Sequence, residues 1–282
     1  MRKFFLCAIA IMILGATGVA AGEMDTDVLS WCAEDVEVPI IMYHLVTEKP
    51  KYIGKFGISP AQLEADLKYL SDNNYATVIV QDLINFVESG APLPQKPVML
   101  TFDDGNFSDY EILLPLLKKY DKRAVIAVLG ETADRFTAEA EKYPAGRFPH
   151  LTWSQIQELH ESGYAEIQSH SYNLHTAPLG SREKQGESPE VYHARLLADL
   201  KKFQQACNLH LRYTPTAFVY PLGAIGKDSR NVLEELGMVS SISCQEGKNI
   251  IRQGDHDCLF RLHRTNRPSN RSIEDILRSI SS

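Results

Sequence analysis

The sequence predicts an α/β fold of about eight strands around one core. Three observations carry this. Short apolar runs alternate along the chain with segments that bear helix-start signals. Most of those runs lack strict apolar–polar alternation, which suits parallel strands covered on both faces. The 282 residues, 44% hydrophobic and 23% charged, can bury one large core, and this composition excludes a disordered or collagen-like chain. A closed (β/α) barrel and an open doubly wound sheet both satisfy the pattern. Neither GxGxxG nor GxxxxGK[ST] occurs, so dinucleotide-binding and P-loop versions lose support.

Residues 1–21 read as a secretory signal peptide. Arg2 and Lys3 precede the apolar run Phe4–Leu14, and Val19-Ala20-Ala21 supplies small residues for cleavage. The run is short of the ~20 residues a spanning helix needs, and no later stretch is long enough. A secreted, extracellular or cell-surface protein without stable membrane insertion is expected. Residues 22–37 form a leading segment, and the main domain is expected over 38–282.

The strand candidates are Val38–Tyr43, Ala76–Val80, Val98–Phe102, Ala124–Leu129, Ala165–Ser169, Ala217–Tyr220, Met238–Ser243 and Leu259–His263. Ser59-Pro60-Ala61-Gln62 reads as an N-cap, a proline in the first helical position and a capping-box glutamine, with Leu63, Leu67 and Leu70 as the apolar stripe. Thr152-Trp153-Ser154-Gln155 repeats the pattern before Ile156 and Leu159, and Gly163 is the stop. Further helices are expected at Gln81–Glu88, Tyr110–Lys119, Pro189–Ala206, Ser229–Leu236 and Ser272–Ile280.

Lys and Arg number 29 against 36 Asp and Glu, a formal charge of -7. The chain as a whole repels phosphate, and no motif supports a nucleic-acid partner. Cys7 would leave with the signal, and Cys32, Cys207, Cys244 and Cys258 remain. A Cys244–Cys258 loop staple and four reduced thiols both stay open. Oligomeric state is not legible.

In a barrel, chemistry gathers at the C-terminal strand ends. One strand ends in Thr101-Phe102-Asp103-Asp104-Gly105. Two adjacent carboxylates after a buried strand are costly unless a cation or hydrogen bonds hold them. Another runs into His170-Ser171-Tyr172-Asn173-Leu174-His175. At roughly 100° per residue those histidines do not share a helix face, but a strand end and its following loop can bring them together. One carboxylate and two imidazoles form a common open metal site. Other strand ends carry His44, Tyr220-Pro221-Leu222-Gly223, and Arg261-Leu262-His263-Arg264.

These residues resemble the polysaccharide deacetylases of carbohydrate esterase family 4. The first family motif is similar to Thr101–Gly105, and the second to His170-Ser171 with His175. Trp153–Gly163 with Glu166-Ile167, Pro39–His44 and Arg264–Pro268 extend the likeness over Val38–Ile280. The resemblance implies a distorted, TIM-like (β/α) barrel of seven to eight strands in a single domain. It implies one divalent metal ion, zinc first, with cobalt, nickel, manganese or iron as alternatives. Asp104, His170 and His175 would hold it, and Asp103 would be the base acting on a metal-activated water. The His170–His175 spacing is similar to that of secreted deacetylases of β-1,6-linked poly-N-acetylglucosamine, which makes an N-acetylated polysaccharide the expected partner.

The chain departs from the family pattern in places. No arginine precedes Pro221 in Ala217–Pro221, so Arg261 or Arg264 is expected to orient the base. No tryptophan stands near Ser240–Glu246. His44 is expected as the acid, with His263 in reserve. Tyr220 and the N–H of Leu222 are expected at the substrate and its oxyanion, since Pro221 has no N–H. An O-acetyl esterase acting on xylan or cell-wall sugars, and a barrel that kept sugar binding but lost catalysis, are the rival readings.

Overall fold

Seven parallel strands lie side by side in an order that follows the chain. They are β1 (Ile40–Tyr43), β2 (Pro97–Asp104), β3 (Ala124–Val128), β4 (Ala165–Ser169), β5 (Ala217–Val219), β6 (Ser240–Ile242) and β7 (Thr265–Asn266). The sheet order is β6-β5-β4-β3-β2-β1-β7, with a two-residue strand, Ala76–Thr77, added to β2. This computed structural model describes residues 35–143 and 149–281. The predicted signal peptide and Cys32 lie outside the described residues.

The sheet curls until its edges meet. Leu262 bridges Ile242 in parallel, and its N–H donates to the Ser241 carbonyl at 2.8 Å. The Arg264 N–H donates to the Gln245 carbonyl at 2.9 Å. One residue later Thr265 pairs with Ile41 of β1. The segment from Leu262 to Asn266 therefore joins β6 to β1, and the architecture is the distorted barrel rather than the open doubly wound sheet.

Strand alternation sorts side chains into two layers. Ile40, Met99, Val125, Ala127, Ala217, Val219, Ile242 and Leu262 belong to one buried cluster, the barrel interior. Ile41, Tyr43, Leu100, Phe102, Ile126 and Ile167 belong to another. That second layer is covered by helices α1 (Pro60–Asp72), α3 (Leu114–Tyr120), α5 (Trp153–Glu161) and α8 (Ile273–Ser281). The remaining helices are α2 (Val80–Ser89), α4 (Gly130–Ala138), α6 (Pro189–Leu211) and α7 (Ser229–Glu235).

Both predicted capping boxes form. The Ser59 and Thr152 hydroxyls accept from the N–H of Gln62 and Gln155, and each glutamine side chain accepts from its cap's N–H. Gly163, at φ 75°, takes the left-handed turn after α5. Three expectations need correction, and one helix is added. The Ala76–Val80 run pairs only over Ala76–Thr77, because Val80 already opens α2 and donates its N–H to Glu166 at 2.8 Å. The Leu259–His263 run is not the last strand. Its start ends a short 3-10 turn (His256–Leu259), Arg261 takes φ 59°, and the polar Thr265–Asn266 pairs instead. The Tyr110–Lys119 helix begins as a π turn over Asp109–Leu113. Helix α4 was not expected. Its first residue, Gly130, reads as a turn, but a Cβ there would lie 2.6 Å from the Tyr172 ring, so packing selects glycine.

Candidate active site

Three strands carry an inward face that ends in a functional group. Along β1 the inward series is Ile40, Met42, His44; along β2 it is Met99, Thr101, Asp103; along β4 it is Glu166, Gln168, His170. The joining segment continues it with Leu262, Arg264 and Asn266. Alternation alone would send Asp104 outward. Its backbone is left-handed (φ 77°) and breaks the alternation, so both carboxylates line one cavity of about 730 Å³. Ser171 (φ 81°) and Leu222 (φ 58°) are strained in the same way just beyond β4 and β5. Non-glycine residues in this region persist only when their surroundings enforce it, and they cluster at functional sites.

Asp103 is 2% exposed and Arg264 1%. Arg264 donates from Nη1 to Asp103 Oδ1 at 2.7 Å and from Nη2 to Oδ2 at 2.8 Å. Its remaining donors reach Thr101 Oγ1 at 3.0 Å and the Ser243 carbonyl at 2.7 Å. Burial alone would raise the Asp103 carboxyl. The Arg264 guanidinium overrides it, with His170 and His44 adding, and holds the group well below the usual carboxylate range. Asp103 is thus a fixed, ionised acceptor. His44 Nε2 lies 3.8 Å from Asp103 Oδ2, and its ring leans on Phe56 at 4.7 Å between centroids.

Asp104, His170 and His175 offer one ligand atom each within 4.8 Å of one another. His170 Nε2 and His175 Nε2 stand 3.7 and 3.5 Å from Asp104 Oδ1. The other nitrogen of His170, Nδ1, donates to the Val219 carbonyl at 2.8 Å, which leaves the Nε2 lone pair facing the site. Asp104 Oδ1 is buried and has no hydrogen-bond partner. An orphaned carboxylate oxygen beside two imidazole nitrogens fits a divalent cation. The loop that carries both histidines is clamped: Asp199 on α6 accepts from the N–H groups of Tyr172 and Asn173, both at 2.8 Å, and the Tyr172 hydroxyl donates to Asp134 on α4 at 2.5 Å.

The structure brings Asp103, Asp104, His170, His175, His44 and Arg264 together, and Leu222 lines the same cavity. Arg264 takes the place of the arginine missing before Pro221, and Arg261 does not line the cavity. This answers one of the two departures behind the reading of a barrel that lost catalysis, the missing arginine; the absence of a tryptophan near Ser240–Glu246 stands. Two expected residues point elsewhere. Tyr220 follows the inward Val219, so its side chain faces outward, 1% exposed, with its hydroxyl 2.9 Å from Ser229 Oγ. His263, between the inward Leu262 and Arg264, also faces outward, packed on Gly247 in a separate depression. Cys207, Cys244 and Cys258 are free thiols, so the Cys244–Cys258 staple is absent. Cys244 instead lines the cavity, 3.4 Å from Arg264 Nη2.

Sequence reasoning missed Asp109. It is fully buried in the π turn, and neither carboxylate oxygen has a hydrogen-bond partner. Burial, then the nearby Asp104 and Asp103, push its carboxyl well above the ordinary value. The folded state must therefore keep a proton there that the unfolded chain releases above its ordinary pKa, so stability falls as pH rises beyond that point. Asp109→Asn removes this cost. The variant should melt about 4 °C or more above the parent at pH 7, with the gain shrinking toward pH 4. A thermal melt series across that range checks it; an unchanged or lower Tm at pH 7 contradicts the assignment.

Comparison with known proteins agrees with the barrel fold. A family model described as polysaccharide deacetylase matches residues 90–241. The protein YxkH of Bacillus subtilis (strain 168) is 26% identical over 249 residues, 88% of this chain and 78% of its own length. The poly-beta-1,6-N-acetyl-D-glucosamine N-deacetylase of Escherichia coli (strain K12) is 25% identical over 248 residues, 81% of this chain but 37% of that enzyme. A solved de-N-acetylase from Aggregatibacter actinomycetemcomitans superposes with a TM-score of 0.72 at 25% identity, covering 86% of this chain and 99% of that one.

Proposed function

Because this chain belongs to the polysaccharide deacetylase family, we propose that it hydrolyses N-acetyl groups from a poly-N-acetylglucosamine-like glycan, with Asp103 as the base. The observation that carries the reading is the buried, doubly bonded Arg264–Asp103 pair set beside the Asp104–His170–His175 cluster. Asp104, His170 and His175 would hold a divalent ion, zinc in the first instance, which supplies Lewis-acid polarisation of the acetyl carbonyl and acidifies water.

This chain's own residues do the rest. Asp103, locked by Arg264, accepts a proton from the attacking water. The Leu222 N–H is held at the cavity wall for the carbonyl oxygen as it gains charge. His44, 3.8 Å from Asp103 Oδ2, delivers a proton to the departing sugar amine. Acetate and a free amine result. A polymer substrate outside the cell fits the export that residues 1–21 predict.

The test is acetate release from β-1,6-linked N-acetylglucosamine oligomers. Release should cease with a chelator, return with added zinc, cobalt, nickel, manganese or iron, and fall at least about 10²-fold in Asp103→Asn. Near-parental turnover in Asp103→Asn would remove the base assignment.

A further inference from the structure

The Lys49–Ile58 loop forms one wall of the cavity and is built more firmly than a connection requires. The N–H of Leu45 donates to the Phe56 carbonyl at 3.1 Å and that of Thr47 to Ile58 at 2.9 Å. The Ser269 N–H reaches the Gly54 carbonyl at 2.9 Å, and Asn266 Nδ2 the Lys55 carbonyl at 2.7 Å. The loop's own turn closes so tightly that a Cβ at Gly57 would lie 2.1 Å from the Tyr52 carbonyl oxygen. Anchored by the chain just after β1, by β7 and by the chain beyond it, the loop holds two aromatic rings in water. Tyr52 is 50% exposed and Phe56 48%.

Among the described residues five large apolar side chains are exposed, and three of them, Tyr52, Phe56 and Leu222, line this cavity. Isolated exposed apolar groups are ordinary, but a cluster on one rim marks a binding surface. The two rings have different surroundings. Phe56 leans on His44 and shapes the reacting end. Tyr52 lines the same cavity without a ring contact to His44, and the Lys51 ammonium lies over its ring, 4.6 Å from the centroid. The cavity volume of about 730 Å³ also exceeds what one acetamido group fills.

We propose that this loop is a subsite for the sugar unit next to the one being deacetylated, with Tyr52 as the platform on which that ring stacks. The proposal rests on the glycan reading above. A pyranose presents an apolar C–H face that matches an aromatic ring and a rim of hydroxyls that lysine ammonium groups can bind. The rigid loop pays the ordering cost in advance, so stacking converts into affinity. The enzyme therefore prefers chains to single sugars.

The experiment compares kcat/KM for acetate release from the β-1,6-linked N-acetylglucosamine tetramer and from the monomer. The parent should prefer the tetramer. In Tyr52→Ala that preference should fall about five- to tenfold, through KM, and Tyr52→Trp should restore it. Titration calorimetry of the tetramer with Asp103→Asn, and with Asp103→Asn combined with Tyr52→Ala, gives a second readout. Its Kd should weaken by a similar factor. If no acetate is released from any oligomer, the reaction reading fails, while the calorimetric comparison still decides the subsite. Equal preference and equal Kd with and without the Tyr52 ring, or a Tyr52→Trp variant as impaired as Tyr52→Ala, would overturn the proposal.

Discussion

Arg264→Met should destabilise the protein and silence it at once. The guanidinium makes two bonds to Asp103 and two more to Thr101 and the Ser243 carbonyl, all of them buried. Removing one partner of such a pair leaves the other charge buried and uncompensated, a loss of about 3–5 kcal/mol. Asp103 would then take up a proton or turn away, and either change removes an oriented base. Turnover should fall at least about 10²-fold, the usual effect of misplacing a reacting group by about 1 Å. Arg264→Lys separates the two effects. An ammonium restores charge but cannot give Asp103 two parallel bonds, so part of the melting temperature should return while most activity does not. Thermal melts with acetate assays of both variants check this. Parental turnover in Arg264→Met would show that the pair holds the barrel together and nothing more.

The second large effect is expected at Asp104. Asp104→Asn is the informative change, because asparagine tolerates the left-handed backbone found there, whereas other side chains add strain. The variant keeps its fold but offers a neutral amide where the cluster presents a carboxylate oxygen without a protein partner. Metal affinity, read by titration against a chromophoric chelator, and acetate release should both collapse. Asp103→Asn should instead retain metal and lose turnover. The contrast between neighbouring residues is the point. If Asp104→Asn binds metal as the parent does, the Asp104–His170–His175 cluster is not the site that holds it.

Much of this site was legible because strand ends and strand parity are sequence properties. Thr101–Gly105 follows an apolar run, and His170 ends another, so barrel geometry alone directs them to one rim. Parity also separates Arg264 from His263 once Leu262 is known to face inward. That fact was hidden, because the apolar run Leu259–His263 outweighed the two polar residues that pair, Thr265–Asn266. Their pairing depends on the exposed edge of β1, a contact that no local pattern encodes. The arginine was legible only as one of two candidates, Arg261 and Arg264. It reaches Asp103 from a distant part of the chain, so Ala217–Pro221 shows only a gap, and choosing between the two needs the strand parity that the packed barrel fixes. Asp109 was missed because an acid near a helix start ordinarily reads as a solvated, dipole-favoured residue. Its full burial is a property of the packed barrel.

The seam from Leu262 to Asn266 has one more consequence. It closes the sheet and also bears the guanidinium that orients Asp103. A chain whose first six strands have assembled holds every proposed ligand and the base, yet the base is still unclamped. Competence for hydrolysis therefore arrives with the final stitch. Until that seam forms the polypeptide would stay chemically quiet, and the act of sealing the cylinder would arm it.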